Sequence, residues 1–108
     1  MTSEIFDRIL ELVARGEVVI SDHGYDELAA DGILVRDILI GAREGRVIED
    51  YPKYYQGPCV LVFQQDHDGK PVHVVWGIPS HAEAPAVVVT AYRPDARRWT
   101  SDFLRRRS

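Results

Sequence analysis

Pro71-Val72-His73-Val74-Val75-Trp76 is an apolar run of β-formers broken by a single histidine. β-Branched and aromatic residues in so short a run predict a strand. Alternation along it puts Val72, Val74 and Trp76 on one face and His73 on the other. The run Val87-Val88-Val89-Thr90-Ala91-Tyr92 reads the same way, with Val87, Val89 and Ala91 on one side and Thr90 and Tyr92 on the opposite side. If these strands pair, one sheet face is apolar and the other carries an imidazole, a hydroxyl and a phenol. A solvated second face would make His73→Ala a mild change beside Trp76→Ala.

Outward from this pair the pattern stays β-like. Asp66-His67-Asp68-Gly69 is a hairpin turn, with Asp68-Gly69 its strongest signal. It joins a strand over Cys59 to Gln65 to the one over Val72 to Ile78. Arg46 to Tyr51 is a further strand ended by Pro52, and Ala86 to Tyr92 is the last, closed by Pro94.

The first half has helical period. Ile5, Phe6, Ile9, Leu10, Leu12 and Val13 share one face, Ser3 is the expected N-cap, and Arg15-Gly16 is a stop. Val18-Val19-Ile20 is a short extended piece. Ser21 or Asp22 caps a helix from about His23 to Ala30, ended at Asp31-Gly32, and a third runs from about Val35 to Ala42. Trp99 and Phe103 need cover, which predicts a short docked C-terminal helix. Helices first and strands second give an α+β fold, with N-terminal helices on one face of a four-stranded antiparallel sheet.

At 108 residues the expectation is a single domain, 1–108. One cysteine, Cys59, rules out an internal disulfide framework and suits a reducing compartment. No basic segment leads into an apolar core after Met1-Thr2-Ser3-Glu4, and no apolar run approaches the ~20 residues of a membrane helix. The expectation is therefore a cytoplasmic protein with no membrane partner. Charge is uneven. Residues 1–94 carry 8 Lys and Arg against 15 Asp and Glu, while residues 95–108 carry 5 Arg against 2 Asp. An acidic body repels nucleic acid, so phosphate affinity would need a local patch built from Arg93, Arg97, Arg98 and the basic tail.

The acid–base candidates are His23 and His73. A neutral imidazole in the first turn of a helix can serve as a general base, which suits His23. The plainer alternative is a part in capping with Ser21 or Asp22. His73 interrupts a strand where Val or Ile would do. Its plainer alternative is a half-buried histidine bonded to a neighbouring strand. His67 is expected to face solvent from its turn. No histidine pair has helical i, i+4 spacing, and C-x-x-C and H-E-x-x-H are absent, so no metal and no cofactor is expected.

Ser21-Asp22-His23 opening a helix, Gly32-Ile33, and Val47-Ile48-Glu49-Asp50-Tyr51-Pro52 form one part of a larger pattern. Pro71-Val72-His73-Val74-Val75, Thr90-Ala91-Tyr92-Arg93-Pro94-Asp95 and Trp99 form the other. In this order the sequence resembles the domain of unknown function 4258 family over roughly residues 18–100. That family looks related to the RelE-like and BrnT-like toxin ribonucleases. The resemblance implies a RelE-like fold and a metal-independent endoribonuclease of toxin–antitoxin type. It implies His23 and His73 as acid and base, Thr90, Tyr92 and Arg93 on the phosphate side, RNA as substrate and an antitoxin-like protein as partner. A non-catalytic interaction or dimerisation module that keeps the fold, as a homodimer or partner-binding domain, is the alternative reading.

Overall fold

The computed structural model describes residues 3–108; Met1 and Thr2, on which the leader reading partly rests, lie outside them. Helix α1 spans Glu4–Ala14, strand β1 Val18–Ile20, α2 Asp22–Asp31 and α3 Val35–Gly41, followed by a 3₁₀ turn over Ala42–Glu44. Strands β2 (Arg46–Tyr51), β3 (Cys59–Gln65), β4 (Pro71–Gly77) and β5 (Ala86–Tyr92) complete the order. No helix among the described residues is long and apolar enough to cross a membrane.

Among the described residues the sheet has five strands, in the order β1-β5-β4-β3-β2. β2 to β5 are antiparallel neighbours, but β1 pairs with β5 in parallel, so the sheet is mixed. This corrects the expected four-stranded antiparallel sheet. Three residues show no period of their own, and their partner lies nearly seventy residues downstream. The second correction is at the C-terminus. No helix forms there; residues 93–108 run as turns joined by an isolated bridge between Trp99 and Arg106.

Helices α1 and α2 begin where side-chain oxygens can accept from free backbone N–H groups. Ser3 Oγ accepts from Phe6 N at 3.1 Å, and Ser21 Oγ accepts from Gly24 N at 2.9 Å. Gly32 ends α2 in the left-handed region, with φ of 65°. The apolar faces of all three helices meet one face of the sheet. Phe6, Ile9, Leu12, Leu28 and Ile38 pack with Val60, Val62, Val72, Val74, Trp76, Ala86, Val88 and Ala91.

The strand parity holds for β4 but not for all of β5. Val75 stands opposite Thr90 and Trp76 opposite Val88, which leaves Val89 as an extra, bulged residue. Ala86 and Val88 therefore fill the core, while Val89 is exposed and Val87 half-buried. This corrects the placement of Val87 and Val89 on the apolar face. The bulge also docks α2. Ser21 N donates to Val88 O at 3.0 Å and Ser21 Oγ donates to Val89 O at 2.8 Å. Gly24 sits so close that a Cβ there would lie 2.8 Å from Val88 O.

A buried polar link crosses the core. Trp76 Nε1 donates to Gln64 Oε1 at 2.8 Å, and Gln64 Nε2 donates to Ile38 O at 2.9 Å. Both side chains are almost wholly enclosed, so the indole and the amide satisfy each other.

Two stability outcomes follow from this packing. Trp76→Ala is expected to destabilise by about 3–5 kcal/mol in denaturant melts, since it opens a cavity and strands the Gln64 carbonyl. Gly24→Ala is expected to destabilise by roughly 1–3 kcal/mol through overpacking against the β5 backbone. Intrinsic helix propensity alone gives the opposite sign, a gain of about 1 kcal/mol. A melt showing Gly24→Ala as stabilising would refute the close docking of α2.

Candidate functional site

His73 stands between Phe63 on β3 and Tyr92 on β5, on the sheet face away from Trp76. Parity predicted that face, but the face is not solvated. The segment after β5 folds back over it, and His73 is 0% exposed. Its Nε2 lies 2.8 Å from the carbonyl oxygen of Phe103. A carbonyl only accepts, so Nε2 carries the proton. Nδ1 is then the acceptor, and the Tyr92 hydroxyl donates to it at 3.2 Å. The Trp99 ring meets the imidazole edge-on at 4.4 Å between centroids. Burial lowers the His73 pKa; the Phe103 carbonyl pulls it back up, and the nearby Arg106 charge lowers it further. The ring is held neutral with both nitrogens engaged, one by the neighbouring strand and one by the returning segment, and it is fully buried where the plainer reading had it half-buried.

The returning segment is clamped at its far end as well. Arg106 lies over the Trp99 ring at 4.8 Å and pairs with Glu49 of β2 at 2.9 Å. The Tyr51 hydroxyl also donates to the Glu49 carboxylate. A shallow cleft of about 300 Å³ lies where this segment leaves β5, lined by Tyr92, Arg93, Asp95, Arg98, Trp99 and Arg106.

The other expected site residues are scattered. Thr90 is half-buried on the His73 face. His23 is exposed on the first turn of α2, 3.7 Å from Glu27, and takes no part in the cap, which Ser21 makes alone. His73 and His23 share no contact, because the imidazole of His73 is enclosed by Tyr92, Trp99 and Phe103. Arg93 is engaged in the fold. Its guanidinium pairs with Asp66 at 2.8 Å and donates to Pro71 O at 3.2 Å, fastening the end of β5 to the β3–β4 turn. Arg97 is exposed and folds back on Asp95 at 3.1 Å. Arg98 lines the cleft with Tyr92.

One pairing escaped the sequence reading. His67 is solvent-exposed, as expected of its turn, but its Nδ1 is 2.7 Å from Oδ2 of Asp37, a buried carboxylate in the first turn of α3. That bond and the Asp37 charge raise the His67 pKa, and Asp68 at 3.4 Å adds to the rise. The pair lines a concavity of about 930 Å³ with Arg36, Arg43 and Glu44. The sequence signal was an acidic residue at a helix start. Nothing local connected it to a turn thirty residues away.

Residues 20–93 match the family described as Domain of unknown function (DUF4258). The chain belongs to this family. No curated protein and no solved structure matches it. The DUF4258 match takes in His23, His73, Thr90, Tyr92 and Arg93 and stops before Trp99, Phe103 and Arg106. Of the residues that enclose His73, Trp99 and Phe103 therefore lie outside the matched stretch.

The two perturbed histidines make opposite contributions with pH. Folding holds His73 below its unfolded value of about 6.5. Its contribution to stability is full above that pH and is lost as pH falls from there through the folded pKa. His67 is held above its unfolded value, so its contribution is present below about pH 6.5 and is lost as pH rises through the folded pKa. An NMR titration of the imidazole resonances is expected to show His73 titrating below the ordinary range and His67 above it. Truncation before Trp99 should return His73 toward the ordinary value. His73→Ala is expected to cost about 2–4 kcal/mol in denaturant melts, as a buried ring with two bonds. A loss near zero would mean that its face is open.

Proposed function

We propose that this DUF4258 chain is a non-catalytic interaction module that keeps a RelE/BrnT-like arrangement of helices on a sheet. The observation that carries this reading is the state of His73. General acid–base work needs an imidazole within reach of a substrate proton, with a nitrogen free to give or take it. His73 has no exposed surface, and its two nitrogens are spent on Tyr92 and Phe103. His23, the other candidate, stands alone on a helix surface beside Glu27. Cleavage of RNA without a metal requires a base, an acid and a cation around one phosphate. Here the His73 ring is enclosed, and Arg93 is already paired with Asp66.

A specific observation favours the ribonuclease of toxin–antitoxin type as the second reading. The cleft beside Tyr92 collects Arg98 and Arg106 over the sheet face that holds His73. Five arginines follow residue 94 and give an otherwise acidic chain a basic end. Such a surface suits a phosphate backbone.

One assay separates the two. Purified protein is incubated with total RNA and with single-stranded oligonucleotides at low salt, where electrostatic binding is strongest. The interaction reading expects intact RNA, and no growth defect on overexpression. Cleavage that persists in chelator and vanishes in both His23→Ala and His73→Ala, with the fold kept, would overturn it in favour of the nuclease.

A further inference from the structure

β1 is an edge strand whose outer side has no partner strand among the described residues. The bonds flanking it fix its polarity. Glu17 O accepts from Ala86 N at 2.9 Å, and Ser21 N donates to Val88 O at 3.0 Å. Alternation then turns Val19 toward β5 as well, and sends the N–H and C=O groups of Val18 and Ile20 outward. Val18 and Ile20 lean their side chains on the helix-covered core, and Val19 is 48% exposed on the other face. From this geometry, and resting on the interaction-module reading, we infer that β1 is a self-pairing edge through which two copies of this chain join antiparallel about a two-fold axis at Val19.

The outward groups are self-complementary at this register. Val18 of one copy meets Ile20 of the other, each pair exchanging two hydrogen bonds, which gives four across the seam. Val19 falls opposite its own copy as the close, non-hydrogen-bonded pair. Because the axis is perpendicular to the sheet, the helix-covered faces stay on the same side and the two sheets become one.

A two-fold interface needs the same patch to supply both a projection and a recess. This patch has both. A groove of about 430 Å³ runs over β1, lined by Val13, Val18, Ile20, Val35 and Leu39, and Tyr25 stands at its wall with 55% of its surface exposed. Charge is compatible as well. Within the pairing span the one charged side chain, Glu17, faces Ser21 of the copy. Glu17 is already paired with Arg15 of its own chain at 3.3 Å, so it brings no uncompensated charge to the seam.

The two edges of the sheet differ in protection. Edges are normally blunted by charge, bulges or cover. β2 has all three: Arg46, Glu49 and Asp50 along it, a bulge between Val47 and Glu49, and Arg106 clamped onto Glu49. β1 is Val18-Val19-Ile20, with no charge, no bulge and no strap. Its shortness is its one safeguard, and it limits the seam to a concentration-dependent dimer.

Sedimentation of the full chain over a concentration series, together with cysteine cross-linking, tests the pairing. Wild type is expected to pass from monomer to dimer. Val19→Lys, a change at an exposed position, places like charges across the axis and should move the midpoint up by about tenfold or more. Val19→Cys should oxidise to a covalent dimer, because the close antiparallel pair brings the two Cβ atoms within disulfide reach. Val18→Cys and Ile20→Cys, each facing the other's position rather than itself, should cross-link poorly. A wild type that stays monomeric throughout, or a dimer indifferent to Val19→Lys, would overturn the pairing. If that monomer leaves RNA intact, the self-pairing fails alone; if it cuts RNA, the interaction-module reading fails with it.

Discussion

The second face of the sheet is closed by one neutral imidazole held between a phenol and a backbone carbonyl. β3 reads Cys59-Val60-Leu61-Val62-Phe63, apolar at successive positions, which is the pattern of a strand buried on both sides. The helices cover only one of those sides. The other depends on a segment with no regular secondary structure of its own, which must be fixed by side-chain anchors. His73 is the central one. It accepts from Tyr92 within the sheet and donates to Phe103 in the strap, so a single ring joins the two layers. Protonating it would place a charge in an enclosed site beside the Arg106 cation, and burial and that charge both oppose it. Trp99 and the Arg106–Glu49 pair extend the same closure to β2.

Local signals were legible in the sequence, and contacts between distant backbone groups were not. Ser3, Ser21 and Gly32 were readable as helix boundaries, because a cap is a property of three or four adjacent residues. The face of His73 was readable because β4 is unbulged against β3. β5 defeated the same reasoning. Val87-Val88-Val89 fits either phase of a strand equally well, and the bulge that decides the phase is set by the docking of Ser21 on its carbonyls. The extended piece over Val18–Ile20 was seen, but its membership in the sheet depends on a parallel partner that no local pattern announces.

The candidate site shows the same division. His73 and Tyr92 were placed on one face from alternation, and they do touch. What they do there depends on the Phe103 carbonyl, a group every residue carries and no sequence pattern marks. Arg93 looked like a free cation at the end of a strand. Its role is set by Asp66, which also accepts from Asp68 N and Lys70 N and so fixes the hairpin turn. His67 was read from its turn alone, and the buried Asp37 that orients it lies on a helix. In each case the residue was found and the partner was missed, because the partner is distant along the chain.

The bulge that obscured the phase of β5 also shapes the open edge. By turning Val88 and Val89 carbonyls toward Ser21, it ties the start of α2 to β5, and Gly24 allows the helix to sit down on that backbone. β1 lies between this anchor and the Glu17 bond to Ala86, so both of its ends are fixed. A three-residue strand fastened at each end does not fray, and its outward groups hold a constant direction. A frayed edge would have to be ordered before it could pair, with the backbone entropy of each residue opposing association by roughly 1–2 kcal/mol. Here the fold has already ordered the strand. The constraint that defeats sequence-level parity in β5 is thus the one that leaves β1 rigid, apolar and unpartnered at the end of the sheet.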